Sequence, residues 1–382
     1  MLSIFKLFFA LGWVSFGGPA AHIGYFRKTF VEQKRWLSDD EYAQLVALSQ
    51  FLPGPGSSQV GFALGYKKGG ICGAFAAFLG FTLPSIILML ALALLSSHWL
   101  ETSLFVAIIH ALKLLAVVVV ADAIVGMYKN FCQSKRRVTL CLFVAVAMLL
   151  FSGIMAQMGA LLVCATLGAM WFTTSDKPVV ESSPRKLALL PLIIFVVLLF
   201  FGPLVTGFSP VLHIFHDFFY AGSLVFGGGH VVLPLLENLI GDQLTTDTFL
   251  TGYAAAQAVP GPMFTFATYL GYALLPQQPI VGAFVATLAV FLPGFLLVLS
   301  VIHNWQSFAS IPRVSAALQG VNAGVVGLLI AALYQPIFVS AVADAQDLAV
   351  VLVGYFLLKQ MKLPIVALVA SFMGYGIVLA LI

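Results

Sequence analysis

Charged side chains are scarce in this sequence, and their scarcity excludes a soluble protein. Asp, Glu, Lys and Arg make up 8% of the 382 residues, whereas apolar residues make up 61% and the mean hydropathy is +1.07. No soluble domain of this length needs so many apolar residues for its core. The sequence therefore predicts an all-α polytopic membrane protein, with no stretch left over for a separate soluble domain.

Metal-ligand clusters are also lacking, which argues against metal and redox chemistry. Four cysteines lie in or beside apolar runs without CxxC spacing, as expected for small hydrophobic residues of a helix bundle. They are Cys72, Cys132, Cys141 and Cys164. The histidines near apolar runs have no carboxylate or cysteine at ligand spacing, so we expect no metal site and no cofactor. They are His22, His213, His216 and His230.

A nucleotide-binding loop is absent as well. Because no GxxxxGK[ST] occurs in the sequence, any transport should be secondary, and we expect no nucleic-acid partner. The run from Met1 to Val14 carries one cation, Lys6, ahead of an apolar stretch, which is also a feature of signal peptides. Since this run continues directly into a repeated sequence, we interpret it as mature structure.

One short sequence pattern occurs twice, about 210 residues apart. The first copy reads FGGPAAHIGYF from Phe16 and LSDDEYAQLVALSQFLPGPGSSQVGFALGY from Leu37. The second copy reads FGGGHVVLPLL from Phe226 and LTTDTFLTGYAAAQAVPGPMFTFATYLGY from Leu244. Each copy contains an FGG break, a polar connection, a Gln three residues before PGP, and a closing GY. Gly/Pro-interrupted segments in matching positions of two halves are typical of a transporter binding site.

The repeat predicts two inverted halves, residues 1–172 and 211–382, joined by a linker, residues 173–210. We predict that each half has two re-entrant hairpins, which turn at FGG and PGP, followed by four crossings. A connecting helix between Leu187 and Leu204 makes nine crossings, and the odd number between the copies inverts their topology. Whether the first segment of each half turns back or crosses fully stays open. The longest apolar spans are Ile71 to Leu95, Thr102 to Met127, Ile280 to Ile302 and Leu363 to Ile382.

The distribution of cations predicts the orientation of this topology. With the N-terminus in the cytoplasm, every Lys and Arg except Lys113 lies on the cytoplasmic side of the predicted topology. The predicted outer segments carry acidic residues and no Lys or Arg. Since cation bias sets orientation, we expect an inner-membrane (plasma-membrane) protein with a cytoplasmic N-terminus and an external C-terminus.

The four breaks predict a site for an anion. A helix broken inside a bilayer is tolerated where its backbone faces protein or water, and Gly-Pro and Gly-Ser sequences after each break can open new helices near mid-membrane. Four helix N-termini with free N–H groups form a ready anion site, whereas simple close packing of helices is the alternative interpretation. The residues assigned to substrate binding on this basis are Gly18, Gly54, Gly56, Ser57, Gly228 and Gly261.

Lys113 is the cation predicted to serve this site. It lies near the middle of an apolar span, where a buried ammonium costs roughly 2.5 kcal/mol or more unless it pairs or faces water. Pairing with a carboxylate that only stabilises the bundle is the alternative. His110, one turn earlier, is the candidate for a coupling proton, whereas Asp122 points to the opposite side of the helix.

Amide side chains are the neutral donors of the predicted site, since an amide can donate to an oxyanion while its oxygen accepts. Gln50 and Gln257 each precede a PGP break by three residues. In the matching helix of the second half, we align Gln319 with Lys113 and Asn322 with Ala116. Weaker polar candidates are Ser15, Ser58, Gln59, Ser223 and Thr265.

The repeated blocks resemble the chromate ion transporter family in its long two-domain form. The resemblance lies in FGGPAAHIGYF, WLSDDEYAQLVALSQFLPGP and SSQVGFALGY, and in their counterparts FGGGHVVLPLL and AQAVPGPMFTFATYLGY. It covers both halves and almost the whole chain. The resemblance implies a plasma-membrane transporter that exports chromate and confers chromate resistance, with two homologous halves of opposite topology.

The residues alone predict a small anion, and several alternatives stay open. Sulfate is similar to chromate in size, tetrahedral shape and charge. A channel is a second alternative. An intramembrane enzyme acting on lipid-linked phosphate is a third, but neither PGP motif contains a histidine to act as a base. Export of a dianion from an inside-negative cell is downhill by about 4 to 5 kcal/mol per 100 mV. Such a bundle can form a homodimer, although no motif requires one.

Overall fold

The computed structural model describes residues 1–16, 18–99, 102–151, 153–172, 188–226, 231–302 and 312–381. Helices dominate these ranges, and no β-strand occurs within them, so the predicted all-α class is confirmed. Gly228 and His230, two residues singled out in the sequence, lie outside the described ranges.

The first repeat begins with short helices around the breaks and continues with longer ones. Its helices are α1 (Leu2–Val14), α2 (Gly18–Phe26), α3 (Asp39–Phe51), α4 (Gly56–Trp99), α5 (Ser103–Phe131), α6 (Lys135–Leu150) and α7 (Ile154–Trp171). A π-helix, Arg27–Gln33, continues α2. Non-helical dihedral angles at Gly69 and Gly70 divide α4 into a short segment after the PGP break and a long segment that crosses the bundle.

The connecting helix and the second repeat follow the same order. The helices are α8 (Leu189–Phe201), α9 (Pro210–Leu224), α10 (Val232–Ile240), α11 (Thr246–Ala258), α12 (Phe266–Leu274), α13 (Pro279–Val301), α14 (Pro312–Ala332), α15 (Ala345–Lys359) and α16 (Ile365–Leu381). A 3₁₀-helix, Gly202–Phe208, extends α8, another, Met263–Thr265, precedes α12, and a π-helix, Leu333–Phe338, follows α14.

Five helical segments in the described ranges are long and apolar enough to cross a membrane. They are Gly56–Ser96, Val106–Phe131, Leu189–Phe208, Pro279–Val301 and Pro312–Ala341. The shorter helices α6, α7, α15 and α16 occupy the other places that the sequence assigned to crossings. The chain is therefore a multi-pass membrane protein.

The first segment of the chain turns back rather than crossing. With 13 residues, α1 is about 20 Å long, less than the roughly 30 Å of a bilayer core. Beyond the break, the chain returns along α1, since the rings of Phe26 and Phe30 pack against Phe8. A second hairpin joins α3 to α4, where Glu41 pairs with Lys67 at 3.1 Å.

Equivalent helices of the two repeats run in opposite directions, as predicted. His110 contacts Asp347 at 2.7 Å, and twelve residues further along both helices Asp122 contacts Lys359 at 2.6 Å. These contacts show that α15 runs parallel to α5. Its counterpart α6 follows α5 after a three-residue connection and runs back.

The register between α5 and α14 differs from the alignment made from the sequence. Gln319 accepts a hydrogen bond from Arg137 at the start of α6, just as His110 contacts the start of α15. Gln319 is therefore equivalent to His110, and Asn322 is equivalent to Lys113. The alignment of Gln319 with Lys113 is wrong by one helical turn, since both helices are rich in small apolar residues that carry no register signal.

Glycines set this register by direct contact with backbone of the first repeat. A Cβ atom on Gly320 would lie 2.1 Å from the carbonyl oxygen of Cys164, and one on Gly327 would lie 2.2 Å from that of Cys141. Small residues allow such close helix approach in membranes. Both cysteines are buried and free, in keeping with a packing role.

Gly320→Ala should destabilise the protein, since the added methyl group overlaps a backbone carbonyl that cannot move alone. Overpacking of this kind costs about 1 to 3 kcal/mol. Gly159→Ala on α7 is the matched control, since nothing lies within 4 Å of its Cβ position. Thermal unfolding of the purified protein in detergent should show a lower midpoint for Gly320→Ala alone. Equal midpoints for both variants would contradict the close contact.

Candidate functional site

Described residues in and beside the breaks exchange backbone hydrogen bonds between the repeats. The N–H of Gly54, in the first PGP, donates to the carbonyl oxygen of Val225 at 2.7 Å. The N–H of Gly261, in the second PGP, donates to the carbonyl oxygen of Ser15 at 2.8 Å. Since Ser15 and Val225 each precede an FGG sequence, the two bonds are equivalent by the repeat. Each PGP break is therefore held by the FGG break of the other half.

Side chains reinforce this contact region between the two repeats, which we call the crossing. The Gln59 amide donates to the carbonyl oxygens of Pro53 at 2.8 Å and of Gly294 at 3.3 Å. The Ser85 hydroxyl donates to the carbonyl oxygen of Pro260 at 2.6 Å. Ser85 in α4 and Gly294 in α13 occupy equivalent positions, directly after a proline in each helix. The crossing thus joins both PGP breaks to the middle of the opposite long helix.

Two of the predicted glycines are required by this geometry. Gly54 has φ +121° and Gly261 has φ +97°, values that favour glycine. A Cβ atom would lie 2.9 Å from Gly294 at the first position and 2.1 Å from the Ser85 hydroxyl oxygen at the second. These two glycines allow each PGP break to lie close to the long helix of the opposite repeat.

Buried polar atoms without partners surround the crossing on the side of the first repeat. Within the described residues, the hydroxyls of Ser15, Ser58 and Thr82 and the amide oxygen of Gln59 are buried and form no hydrogen bond. Such atoms are rare in native proteins, and these groups are free to form hydrogen bonds with a ligand that reaches the crossing. Sequence reasoning included Ser15, Ser58 and Gln59 as weaker candidates and missed Thr82.

The same positions in the second repeat are mostly apolar. Ser57, Gln59 and Thr82 correspond to Phe264, Phe266 and Phe291, and His22 corresponds to Val232. The frame of the site is symmetric, but its chemistry belongs largely to the first repeat.

A cavity of about 600 Å³ reaches the crossing from one face of the bundle. We call this face the basic face, because Arg27, Lys67 and Lys68 lie on it around the α2–α3 connection. The cavity is lined at its inner end by Phe16, Gly18, Gln257, Gly261 and Met263, and along α5 by Val119, Asp122 and Ala123. Three predicted site residues, Gly18, Gln257 and Gly261, thus share one wall.

A smaller cavity, of about 180 Å³, lies on the opposite face. Its α14 wall contains Ala331 and Ala332, the positions equivalent to Asp122 and Ala123. Asn238 narrows it, because its amide donates to Gln157 at 2.9 Å and its oxygen accepts from the Gly153 N–H at 3.1 Å. The two cavities are therefore equivalent by the repeat but unequal in size.

Lys113 is buried and pairs with Asp247 at the start of α11 in the second repeat. Its side chain is 10% exposed, whereas that of Asp247 is 78% exposed. Val119, the nearest α5 residue in the wall of the wide cavity, is six residues away, or about 9 Å along the helix. In this conformation Lys113 is neutralised by a carboxylate and lies outside the wall of the wide cavity.

Asp122 was missed as a site residue, although it lines the wide cavity. Its carboxylate accepts a hydrogen bond from Lys359 of α15 at 2.6 Å. The signal in the sequence was an acidic residue within an apolar span, which marks a functional position by default.

The remaining predicted residues occupy separate places. Gln257 donates its amide to the Met263 sulfur at 3.3 Å, and Gly56 begins α4 at the first PGP break. Gln50 is exposed at the end of α3 and is not part of the wall of the wide cavity. The Asn322 side-chain oxygen is buried without a partner among the described residues. Gln319 and His110 are engaged by the ends of α6 and α15, as described above.

The comparisons with known proteins agree with this architecture. The family model of the chromate transporter matches residues 2–171 and 212–377, the two repeats. An uncharacterized transporter of Methanocaldococcus jannaschii is 29% identical over 98% of this chain and 94% of its own length. Chromate transport proteins of Pseudomonas aeruginosa and Cupriavidus metallidurans are 29% and 28% identical over 85% and 84% of this chain, and 78% and 79% of their own lengths. No solved structure matches the chain. With both repeats matched, the chain belongs to the chromate transporter family.

Proposed function

We propose that the protein is a secondary transporter that exports chromate, or another tetrahedral oxyanion, by alternating access. The observation that carries this proposal is the pair of equivalent cavities on opposite faces of one crossing. The wide cavity, of about 600 Å³, reaches the broken helices, while its counterpart has about 180 Å³. If the wide cavity narrowed while the narrow cavity widened, a ligand bound at the crossing would pass from one face to the other.

The inner end of the wide cavity suits an anion. Gly18 is the first residue of α2, and Met263 begins the 3₁₀ turn that leads into α12. The N–H groups at helix starts lack helical partners, and the helix dipole adds a partial positive charge there. The amide of Gln257 provides a further donor in the same wall. We assign the entry of the oxyanion to these groups.

Chromate is supported as substrate by the names of the relatives from Pseudomonas aeruginosa and Cupriavidus metallidurans, which are chromate transport proteins. We place the basic face in the cytoplasm of a plasma-membrane protein, following the rule that cations stay inside. The N-terminus is then cytoplasmic, the C-terminus external, and the wide cavity collects anions from the cytoplasm. Export of the dianion would then confer chromate resistance, whereas sulfate is the alternative substrate.

A carrier fits the geometry better than a channel or an enzyme. The contacts of Asn238 with Gln157 and Gly153 narrow one cavity while its counterpart is wide. We propose that the repeats, residues 1–172 and 211–382, move against each other about the crossing. In this movement Lys113 separates from Asp247 and supplies its charge to the oxyanion.

Everted membrane vesicles that contain the protein should accumulate radiolabelled chromate when a potential, positive inside the vesicle, is imposed. Net negative charge then moves down the potential, which favours accumulation by about 2.3 kcal/mol per 100 mV for each charge moved. Excess sulfate should compete weakly, and vesicles without the protein are the control. Flux of sulfate without flux of chromate would replace the substrate, and the absence of any oxyanion flux would refute the proposed function.

Alternating access predicts opposite changes at two equivalent positions. Ala123→Cys lies in the wide cavity and Ala332→Cys in the narrow one, in a Cys72→Ser background that removes the exposed native thiol. Without substrate, a membrane-impermeant maleimide should label Ala123→Cys from the basic face much faster than it labels Ala332→Cys from the opposite face. Transported chromate should narrow this difference. If chromate changed neither labelling rate, the proposed alternation between the two cavities would be contradicted.

Lys113→Ala should reduce chromate flux about 10- to 100-fold without preventing membrane insertion, because a hydrogen bond to a charged group contributes about 1.5 to 3 kcal/mol. Asp247→Asn, which frees the ammonium, should retain flux. Comparison of the two single variants with the double variant Lys113→Ala/Asp247→Asn separates anion binding by Lys113 from a structural role of the ion pair. If the double variant recovered the flux of Asp247→Asn, the pair would be structural and Lys113 would have no contact with the anion.

A further inference from the structure

His22 occupies the centre of the hydrogen-bond network at the crossing. It lies on α2, is fully buried, and stands with its ring edge-to-face on Phe81 at 5.2 Å. Its Nδ1 is 3.1 Å from the hydroxyl of Ser57, in the first turn of α4, and its Nε2 is 3.1 Å from the carbonyl oxygen of Ser15. The same carbonyl oxygen accepts from the Gly261 N–H. His22 therefore links three of the four breaks.

These contacts determine where the protons lie. A carbonyl oxygen only accepts, so the Nε2 that faces Ser15 carries a hydrogen. In the neutral ring, Nδ1 is then an acceptor, and the Ser57 hydroxyl must donate its single proton to it. The Ser57 proton is consequently unavailable to any anion while His22 is neutral.

A dianion at the crossing lacks positive charge in this arrangement. Asp122 is the charged residue among the described residues that line the wide cavity, and its sign is wrong for an anion. Lys113 and Lys359 are each paired with a carboxylate. Burial of a charge without compensation is costly, so an ionisable base in the network has a clear use.

We propose that His22 takes up a proton when the oxyanion binds, so that one proton leaves the cell with each dianion. The proton binds to Nδ1, which then donates to the Ser57 oxygen. Ser57 turns its own hydrogen away from the ring and donates it to the anion, near the unpartnered hydroxyl of Ser58. Because each ligand improves the site for the other, anion affinity and proton affinity rise together.

The other ionisable groups around His22 leave it as the responsive base. On its own hairpin, Tyr25 borders the cavity, while Arg27 is bound to carboxylates at the surface. From α3, the Tyr42 hydroxyl donates to the carbonyl oxygen of Ile23. Across the cavity, Asp122 is held by Lys359. The Lys residues of α1 and α4 that pack against this hairpin, namely Lys6, Lys67 and Lys68, lie away from the crossing at the basic face.

At the equivalent positions, the described part of the second repeat offers no base. Val232 stands at the position of His22 and Phe264 at that of Ser57. The stoichiometry should therefore be one proton per oxyanion, although the frame is twofold. Since a cotransported proton halves the charge moved, export remains downhill on the membrane potential with a smaller driving force.

The inference rests on the proposed function, and the ratio of charge to substrate tests it separately. In proteoliposomes at alkaline pH, where chromate itself is a dianion, current and radiolabelled flux are measured together. The wild type should move about one net charge per chromate and His22→Gln about two, because the amide cannot hold the proton. His213→Gln, on the exposed part of α9, is the matched control and should behave as the wild type.

Proton uptake by the purified protein provides a second readout, which does not depend on flux. Chromate added to the wild type in weakly buffered detergent should remove about one proton from solution per site, as a pH dye reports. His110→Gln should retain this uptake, which separates His22 from the other titratable candidate. Flux with two charges per chromate, or binding without proton uptake, would overturn the role of His22 while leaving transport intact. The absence of flux for both chromate and sulfate would overturn the transport proposal as well.

Discussion

Two reciprocal hydrogen bonds, between Gly54 and Val225 and between Gly261 and Ser15, support the rest of the structure. Helices broken inside a bilayer leave backbone N–H and C=O groups without helical partners. Each such group costs on the order of several kcal/mol of free energy unless it forms another hydrogen bond. Each half of this protein supplies those partners to the other half. The breaks are therefore stable only as a set, and the wide cavity ends where that set lies. Duplication of the repeat is thus a structural requirement of the site as well as its origin.

Within this symmetric frame the two halves have different chemistry. The first repeat surrounds the crossing with hydroxyl, amide and imidazole groups, whereas the second fills the same positions with aromatic rings, such as Phe264 and Phe291. Symmetry of the backbone preserves two equivalent cavities, since those depend on helix positions. Asymmetry of the side chains concentrates ligand chemistry on one side of the crossing. Most polar side chains at the crossing therefore belong to the first repeat, and the second repeat adds Gln257 in the wall of the wide cavity.

The parts of this architecture that local sequence encodes were predictable. Gly and Pro mark the breaks, and the lengths of apolar runs mark the crossings, so the hairpins and their order followed from the sequence. Three features did not follow from the sequence, because each depends on contacts between helices of different halves. They are the partner of Lys113, the exposure of Gln50 and the register of Gln319. Glycine contacts such as Gly320 against Cys164 set those distances, and a uniform run of small residues is compatible with several registers. His22 was visible in the sequence as a polar residue, but its importance lies in partners 7 and 35 residues away.

Two ion pairs couple the repeats through charge. Lys113 of the first repeat pairs with Asp247 of the second, and Lys359 of the second pairs with Asp122 of the first. The first pair is at the start of α11, away from the wide cavity, while the second pair borders that cavity. Loss of the Asp247 carboxylate without a replacement leaves the buried Lys113 ammonium uncompensated, which is unfavourable. In the proposed mechanism an oxyanion would replace the carboxylate as partner of the released ammonium, so that the repeats would separate at low cost only with the anion bound. In the proposed carrier, charge pairing across the repeats would thereby make movement of the bundle depend on the bound anion.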